Sequence, residues 1–135
     1  MPDKITVEVA TPERLVISES VDEVVLPSVE GSMGVLPGHA PLLAMLDTGE
    51  MAYRVGSKTH FVALSGGFAE VLRDRVRVLA ETCEPAEEID VERARKAREK
   101  AEEKLKGDEP PSDFSRWEVK LKRAISRIEV HGRIG

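Results

Sequence analysis

Glu84-Pro-Ala-Glu-Glu-Ile-Asp-Val-Glu-Arg-Ala-Arg-Lys-Ala-Arg-Glu-Lys-Ala101 is where the chain changes character. Before it, short runs alternate apolar and polar residues and are cut by glycines, the period of strands. From Val91 to Lys106, sixteen residues hold no glycine, no proline and, after Val91, no β-branched residue. That composition favours helix. Asp90 stands where a side-chain oxygen accepts a free backbone N–H, and Glu92 suits the positive end of the helix dipole.

Downstream, Gly107 is placed to stop this helix, and Asp108-Glu-Pro-Pro111 reads as a short, stiff linker. Ser115-Arg-Trp-Glu118 has capping-box spacing for a second helix, which starts there or one turn earlier, and Gly132 ends it. Two helices of roughly 24 Å joined by a short linker make an antiparallel hairpin. Its seams are thin: Ala94, Ala97, Ala101 and Leu105 against Phe114, Trp117, Leu121, Ala124, Ile125 and Ile128. A large buried side chain contributes about 1.5–3 kcal/mol, whereas ordering each residue costs on the order of 1.5 kcal/mol. The hairpin is therefore expected to need the rest of the chain, a ligand or a partner to hold it.

Upstream, Ile5–Val9, Val21–Leu26, Met51–Val55, His60–Leu64, Phe68–Leu72 and Arg75–Leu79 read as strands, with Gly66-Gly67 and Arg73-Asp74 as turns. Short strands with frequent turns point to an all-β sandwich or barrel, not a βαβ fold. The expected architecture is α+β, with a β-domain over 1–86 and a helical hairpin over 87–135.

Charge and composition exclude several functions. The 135 residues carry a net charge of −5, against general nucleic-acid binding. One cysteine permits no intramolecular disulfide and fits a reducing compartment. No apolar run nears the ~20 residues that span a bilayer, and the first residues lack signal-peptide character, so membrane association is expected only through a partner, without direct insertion. The charge is unevenly spread. Residues 114–131 hold five bases and two acids, net +3, which leaves −8 for the rest. A basic segment on an acidic protein suggests docking to an acidic surface or a small anion.

The segment Glu30-Gly-Ser-Met-Gly-Val-Leu-Pro-Gly-His-Ala-Pro41 packs three glycines and two prolines into twelve residues, which fixes its path as a loop. It is either a structural turn or a protein contact surface, and Met33 and Val35 favour the second. His39 has no nucleophile or acid beside it and reads as a hydrogen-bonding turn residue. His39, His60, His131 and Cys83 are scattered, no metal-ligand or phosphate-loop spacing occurs, and no catalytic set is visible. Arg116, Lys120, Arg123 and Arg127 share one face of the second helix; Arg93, Lys96 or Ala97, Lys100 and Lys104 form a stripe on the first. Charge patterning alone favours two solvated faces. If the hairpin sets the stripes side by side, they form an anion site instead.

Taken together, these residues resemble the epsilon subunit of bacterial F-type ATP synthase, from near the N-terminus to Val130. The marks are Glu30 through Leu43, then Leu64-Ser-Gly-Gly-Phe-Ala-Glu-Val71 with Val78-Leu-Ala-Glu81, then Ile89-Asp-Val-Glu-Arg-Ala94, in family order and spacing. The resemblance implies a ten-stranded sandwich and a C-terminal helix pair. It implies a non-catalytic rotor subunit that joins gamma to the c-ring. Its helices would inhibit hydrolysis by extending toward alpha and beta, at the cytoplasmic face of the bacterial plasma membrane. Glu30, Gly31, Ser32 and Met33 would lie toward the c-ring, and His39, Ala40, Pro41 and Leu42 toward gamma.

Some bacterial members hold one unhydrolysed ATP between the folded helices. By resemblance Glu84, Ile89, Asp90 and Ala94 would surround adenine and ribose, and Arg93, Arg123 and Arg127 would hold phosphates. Lys100 stands where some ATP binders have arginine, which removes the planar fork. The alternative is a structural, inhibitory subunit that binds no nucleotide.

Overall fold

The computed structural model describes residues 3–107 and 112–134. Ten strands come first: β1 Ile5–Ala10, β2 Leu15–Val21, β3 Glu23–Ser28, β4 Gly31–Val35, β5 Leu42–Met45, β6 Gly49–Val55, β7 Lys58–Ser65, β8 Phe68–Val71, β9 Arg75–Leu79 and β10 Thr82–Pro85. They form two five-stranded sheets, ordered β2-β1-β9-β8-β5 and β10-β7-β6-β3-β4. All ladders are antiparallel except β1 with β9, whose register runs from Thr6 beside Arg75 to Ala10 beside Leu79. The sheets face each other as a sandwich, as expected for alternating strands with one buried face.

The alternation is physical. Ile5, Val7 and Val9 are fully buried while Thr6, Glu8 and Ala10 are not, so β1 presents one apolar face to the core. Val24, Leu26, Met51, Val62, Leu64, Val71, Val76 and Val78 complete it. Gly67 shows why a glycine pair links β7 to β8. Its φ is +94°, and a Cβ there would sit 1.8 Å from the carbonyl oxygen of Leu79.

Two readings need correction, and three strands are additional. The run Val21–Leu26 is broken at Asp22, where the chain leaves one sheet for the other. The Asp22 carboxylate fixes this corner by accepting hydrogen bonds from Lys4 Nζ at 2.6 Å and Gly56 N at 2.6 Å. The segment 30–41 is not all loop, since Gly31–Val35 is a strand paired to β3. Leu15–Val21, apart from Val21, and Leu42–Met45 and Thr82–Pro85 carry no expected element in the sequence pattern and are also strands.

After a single 3-10 turn over Ala86–Glu88 come the helices α1 Val91–Lys106 and α2 Phe114–His131. Asp90 caps α1 as expected, its Oδ1 accepting from Arg93 N at 3.1 Å. Gly107 ends α1 in an extended conformation, φ −61° and ψ 153°, without the left-handed turn a glycine stop often uses. The capping-box reading of Ser115 does not hold: α2 begins at Phe114 after Asp113, with no side-chain cap. The linker reading of Asp108–Pro111 lies outside the described residues.

The layers run sheet, sheet, α2, α1. Helix α2 packs on β6 and β7, and α1 packs chiefly on α2. Strand β7 serves both sides: Val62 and Leu64 face the sandwich core, and Ala63 with Phe61 joins Ala86, Ile89 and Val130 beneath the helices. The hairpin seam departs from expectation at five positions. Ala97, Phe114 and Ile125 are exposed, whereas Ser126 and Val130 are buried because α2 turns that face to the sheet.

Candidate functional site

Two arginines fasten α2 to the sandwich. Arg123 donates from Nε to Ser65 Oγ at 2.8 Å and from Nη2 to Glu81 Oε2 at 2.6 Å. Arg127 donates from Nε to Glu84 Oε1 at 2.8 Å. Their spacing of four residues puts them on one face of α2, above the end of β7 and the edge strand β10. A third contact follows at the helix end, where Arg133 Nε donates to Glu50 Oε2 at 2.9 Å and its guanidinium lies 5.3 Å from the Phe61 ring centre.

Between the helices is a cavity with two lobes. One, of about 270 Å³, is lined by Glu84, Asp90, Arg93, Ala94, Ala97 and Arg127. The other, also about 270 Å³, is lined by Ala97, Lys100, Trp117, Lys120, Arg123 and Arg127. Ala97 and Arg127 belong to both, so the lobes adjoin. The exposed Ala97 is the small residue that keeps this space open. The start of α1 faces the end of α2, and Lys104 near the end of α1 faces Trp117 near the start of α2, so the hairpin is antiparallel.

Thus the expected ATP-site residues Glu84, Asp90, Arg93, Ala94, Lys100, Arg123 and Arg127 line two adjoining hollows that share Arg127. Ile89 lines neither. It is buried with Ala63, Ala86, Phe61 and Val130 under the hinge. The two basic stripes do meet. Lys100, Lys104 and Lys120 Nζ lie 5.7, 5.8 and 4.3 Å from the Trp117 ring centre. The solvated-face reading missed this convergence, and also missed Ser65 and Glu81 as partners of Arg123. Those partners stand 58 and 42 residues from Arg123, and no local pattern reports such a pairing.

The other candidate surface lies on the sandwich. A groove of about 280 Å³ is lined by Ser28, Val29, Glu30, Met33, Leu42, Leu43, Ala44 and Met45. It joins part of both expected contact segments, bringing Glu30 and Met33 next to Leu42. Leu43 is 67% and Met45 62% exposed, with Phe68 and Leu79 also exposed on the same sheet. Exposed apolar side chains gathered on one sheet are the kind of surface that a protein partner covers. Gly31 and Ser32 are exposed at the tip of the β3–β4 hairpin, and Ser28 Oγ donates to the Gly31 carbonyl at 2.6 Å to hold that tip. His39 is a turn residue, its Nδ1 donating to the Ala40 carbonyl at 2.7 Å. Ala40 and Pro41 are exposed beside it.

Among the described residues, no group of three or more His, Cys, Asp or Glu is placed to hold a metal ion. Among the same residues, no helix is long and apolar enough to cross a membrane.

The chain is thus a β-sandwich carrying a two-helix hairpin, with an apolar groove on the sandwich and charged hollows in the hairpin. The chain belongs to the ATP synthase delta/epsilon chain family: the family's beta-sandwich domain matches residues 4–86 and its long alpha-helix domain residues 87–132. It is 46% identical over 132 residues to the ATP synthase epsilon chain of Nitratidesulfovibrio vulgaris, covering 98% of both chains. It is 48% identical over 130 residues to that of Syntrophobacter fumaroxidans, covering 96% of this chain and 97% of the relative. A chain of the Euglena gracilis mitochondrial ATP synthase, in the OSCP/F1/c-ring structure, superposes with a TM-score of 0.82 at 28% identity. That match covers 96% of this chain and 81% of the other.

Proposed function

We propose that the chain is the epsilon subunit of a bacterial F-type ATP synthase, a peripheral central-stalk subunit at the cytoplasmic face of the plasma membrane. Its sandwich links gamma to the c-ring through the groove of Glu30, Met33, Leu42, Leu43 and Met45 and the nearby hairpin tip. It catalyses nothing. Its hairpin regulates hydrolysis, holding one ATP unhydrolysed when folded down and reaching alpha and beta when released.

The single observation that carries the nucleotide half is the polarised cavity between the helices. Glu84 and Asp90 line one end, beside Arg93, and can accept from a base and ribose; Lys100, Lys120 and Arg123 line the other and suit phosphates, and Arg127 lies between the two. Because ATP would bind only the folded hairpin, it would stabilise that state by RT ln(1 + [L]/Kd), about 2.7 kcal/mol at a hundredfold excess. Calorimetric titration of the whole chain with ATP tests this. The double substitution Arg123→Ala, Arg127→Ala is expected to abolish the heat, and an unchanged titration rejects the nucleotide reading.

The second reading is a coupling and inhibitory subunit that binds no nucleotide. One observation favours it: Arg123 and Arg127 already have carboxylate partners on the sandwich, so the hairpin has anchors without a ligand. The same titration, silent with the unaltered chain, selects this reading.

A further inference from the structure

Helix α2 meets the sandwich through three guanidinium groups, Arg123 with Glu81, Arg127 with Glu84 and Arg133 with Glu50. Arg123 and Arg127 line the hollows between the helices, whereas Arg133 lines neither. Its place is set by how the backbone leaves α2. Gly132 N donates to the Ile128 carbonyl at 3.1 Å and Arg133 N to that of Val130 at 3.0 Å, so the chain stays wound past the last helical residue and returns Arg133 to the sheet. Glu50 on β6 pairs directly with Ala63 on β7, and Phe61 lies two residues along β7. Alternation puts all three on one face of the sheet, the face that α2 covers. Phe61 and Ala63 pack with Ala86, Ile89 and Val130 in an apolar cluster apart from the sandwich core. Ala86 and Ile89 belong to the hinge and Val130 to the last turn of α2. Val130 is fully buried, so lifting this end of α2 opens the cluster under the hinge as well.

We propose that Arg133, Glu50 and Phe61 form a latch that sets how often the hairpin leaves the sandwich, whatever lies between the helices. This rests on the hairpin-release reading above and extends it to residues outside the cavity. A ligand that takes the Arg123 and Arg127 guanidinium groups competes with Glu81 and Glu84 for the same donors, so it exchanges two sandwich anchors for its own contacts. The Arg133 Nε contact to Glu50 at 2.9 Å, and the guanidinium 5.3 Å from the Phe61 ring centre, are left in place. The latch therefore fixes the baseline from which any ligand works. Arg133 is 55% exposed and Glu50 27%, so solvent screens the pair. Ion pair and ring contact together favour the folded hairpin about fivefold. A free helix end frays. The latch predicts the reverse, a last turn of α2 that opens only with the rest of the helix.

The test measures hydrogen exchange of α2 amides in the intact chain, with β1 and β9 as the internal reference. Arg133→Gln is expected to speed exchange from the last turn of α2 back past Arg123 by about fivefold, with the reference strands unchanged. Glu50→Gln and Phe61→Leu should each give part of that effect. The double substitution Glu50→Gln, Arg133→Gln should be no faster than Arg133→Gln alone, because the pair is lost only once. With ATP added at one fixed concentration, exchange should slow by the same factor in Arg133→Gln as in the unaltered chain, since latch and ligand act on α2 through separate groups. If Arg133→Gln speeds the last turn alone, Arg133 is a local tie and the latch is overturned. Equal acceleration in β1 and β9, or a double substitution that multiplies the two single effects, overturns it too. So does an ATP effect that changes with Arg133→Gln, because the latch would then depend on the ligand. If ATP leaves exchange of the unaltered chain unchanged, the nucleotide reading fails, and the ligand-free rates still decide the latch.

Discussion

Arg123 Nη2 and Glu81 Oε2 lie 2.6 Å apart, joining the middle of α2 to the segment between β9 and β10. The same guanidinium donates to the buried Ser65. Arg123 is 26% exposed and Glu81 66%, so water and salt screen the pair and its net value is about 1 kcal/mol or less. Glu81→Gln is expected to loosen the hairpin slightly. Hydrogen exchange at α2 amides should speed a few-fold while exchange in β1 and β9 stays unchanged. Removal of the guanidinium by Arg123→Ala should act more strongly, since it removes the contacts to Glu81 and Ser65 together and leaves the Ser65 hydroxyl with Thr48 alone. Equal exchange in α2 and the sandwich would show that the helices do not open separately.

The glycine pair after β7 gives the sharpest stability prediction. Gly67→Ala places a Cβ 1.8 Å from the Leu79 carbonyl oxygen at φ +94°, and backbone on both sides must move. Denaturant unfolding should show a loss of about 3 kcal/mol or more, or no folded protein. Gly56→Ala is the control. Its φ is +62° but the added methyl meets nothing within 4 Å, so a loss of about 1 kcal/mol is expected.

The four strands that escaped the sequence pattern, wholly or in large part, are the four sheet edges: β2 and β5 in one sheet, β4 and β10 in the other. An inner strand has two neighbours and one buried face, so its alternation is strong; Arg75–Leu79 is legible to the residue. Edge strands here carry the features that discourage further pairing, glycines in β4 and Pro85 in β10. Those features erase the β signature. The helices were legible for the opposite reason, because capping and composition act locally. Ala97, Phe114 and Ile125 were misplaced in the seam because helical spacing names a face, not which neighbour that face meets. The cavity residues from Glu84 to Lys100 and on α2 were legible through resemblance, whereas the lysine ring around Trp117 required the register between helices.

Groove substitutions should separate folding from assembly. Leu43 is 67% exposed and packs little within the chain. Leu43→Asp is expected to shift stability by less than about 0.5 kcal/mol. It should sharply reduce co-purification with the stalk partners if the groove is their seat. Normal assembly of this variant would move the partner surface elsewhere.

Burial pushes the Cys83 thiol from its ordinary 9.0 to about 12, and the Tyr53 phenol from 10.0 to about 12. Both groups keep their proton in the folded chain at pH values where the unfolded chain loses it. Their contribution is therefore complete below about pH 9 and is lost as pH rises from 9 toward 12. Denaturation midpoints should fall over that window. Cys83 should also react slowly with a thiol reagent at pH 8, because the thiolate is scarce. It lines a cavity with Glu84 and Arg127, so its reaction rate should rise when Arg127→Ala loosens α2.

Asp90 has two jobs, and substitutions can separate them. Its Oδ1 accepts from Arg93 N, which caps α1, and its carboxylate supplies negative charge at the hinge end of the cavity. Asp90→Ala removes both and should cost about 1 kcal/mol in helix stability. Asp90→Asn keeps a capping oxygen and loses only the charge, so α1 should exchange its first-turn amides at nearly the original rate. If the carboxylate accepts a hydrogen bond from the ligand's ribose or base, Asn weakens ATP binding while leaving the helix intact. If Asp90 matters only as a cap, Asn binds ATP like the original chain and Ala binds less well through a frayed helix start. Calorimetry on both variants, with exchange rates beside it, tells these apart.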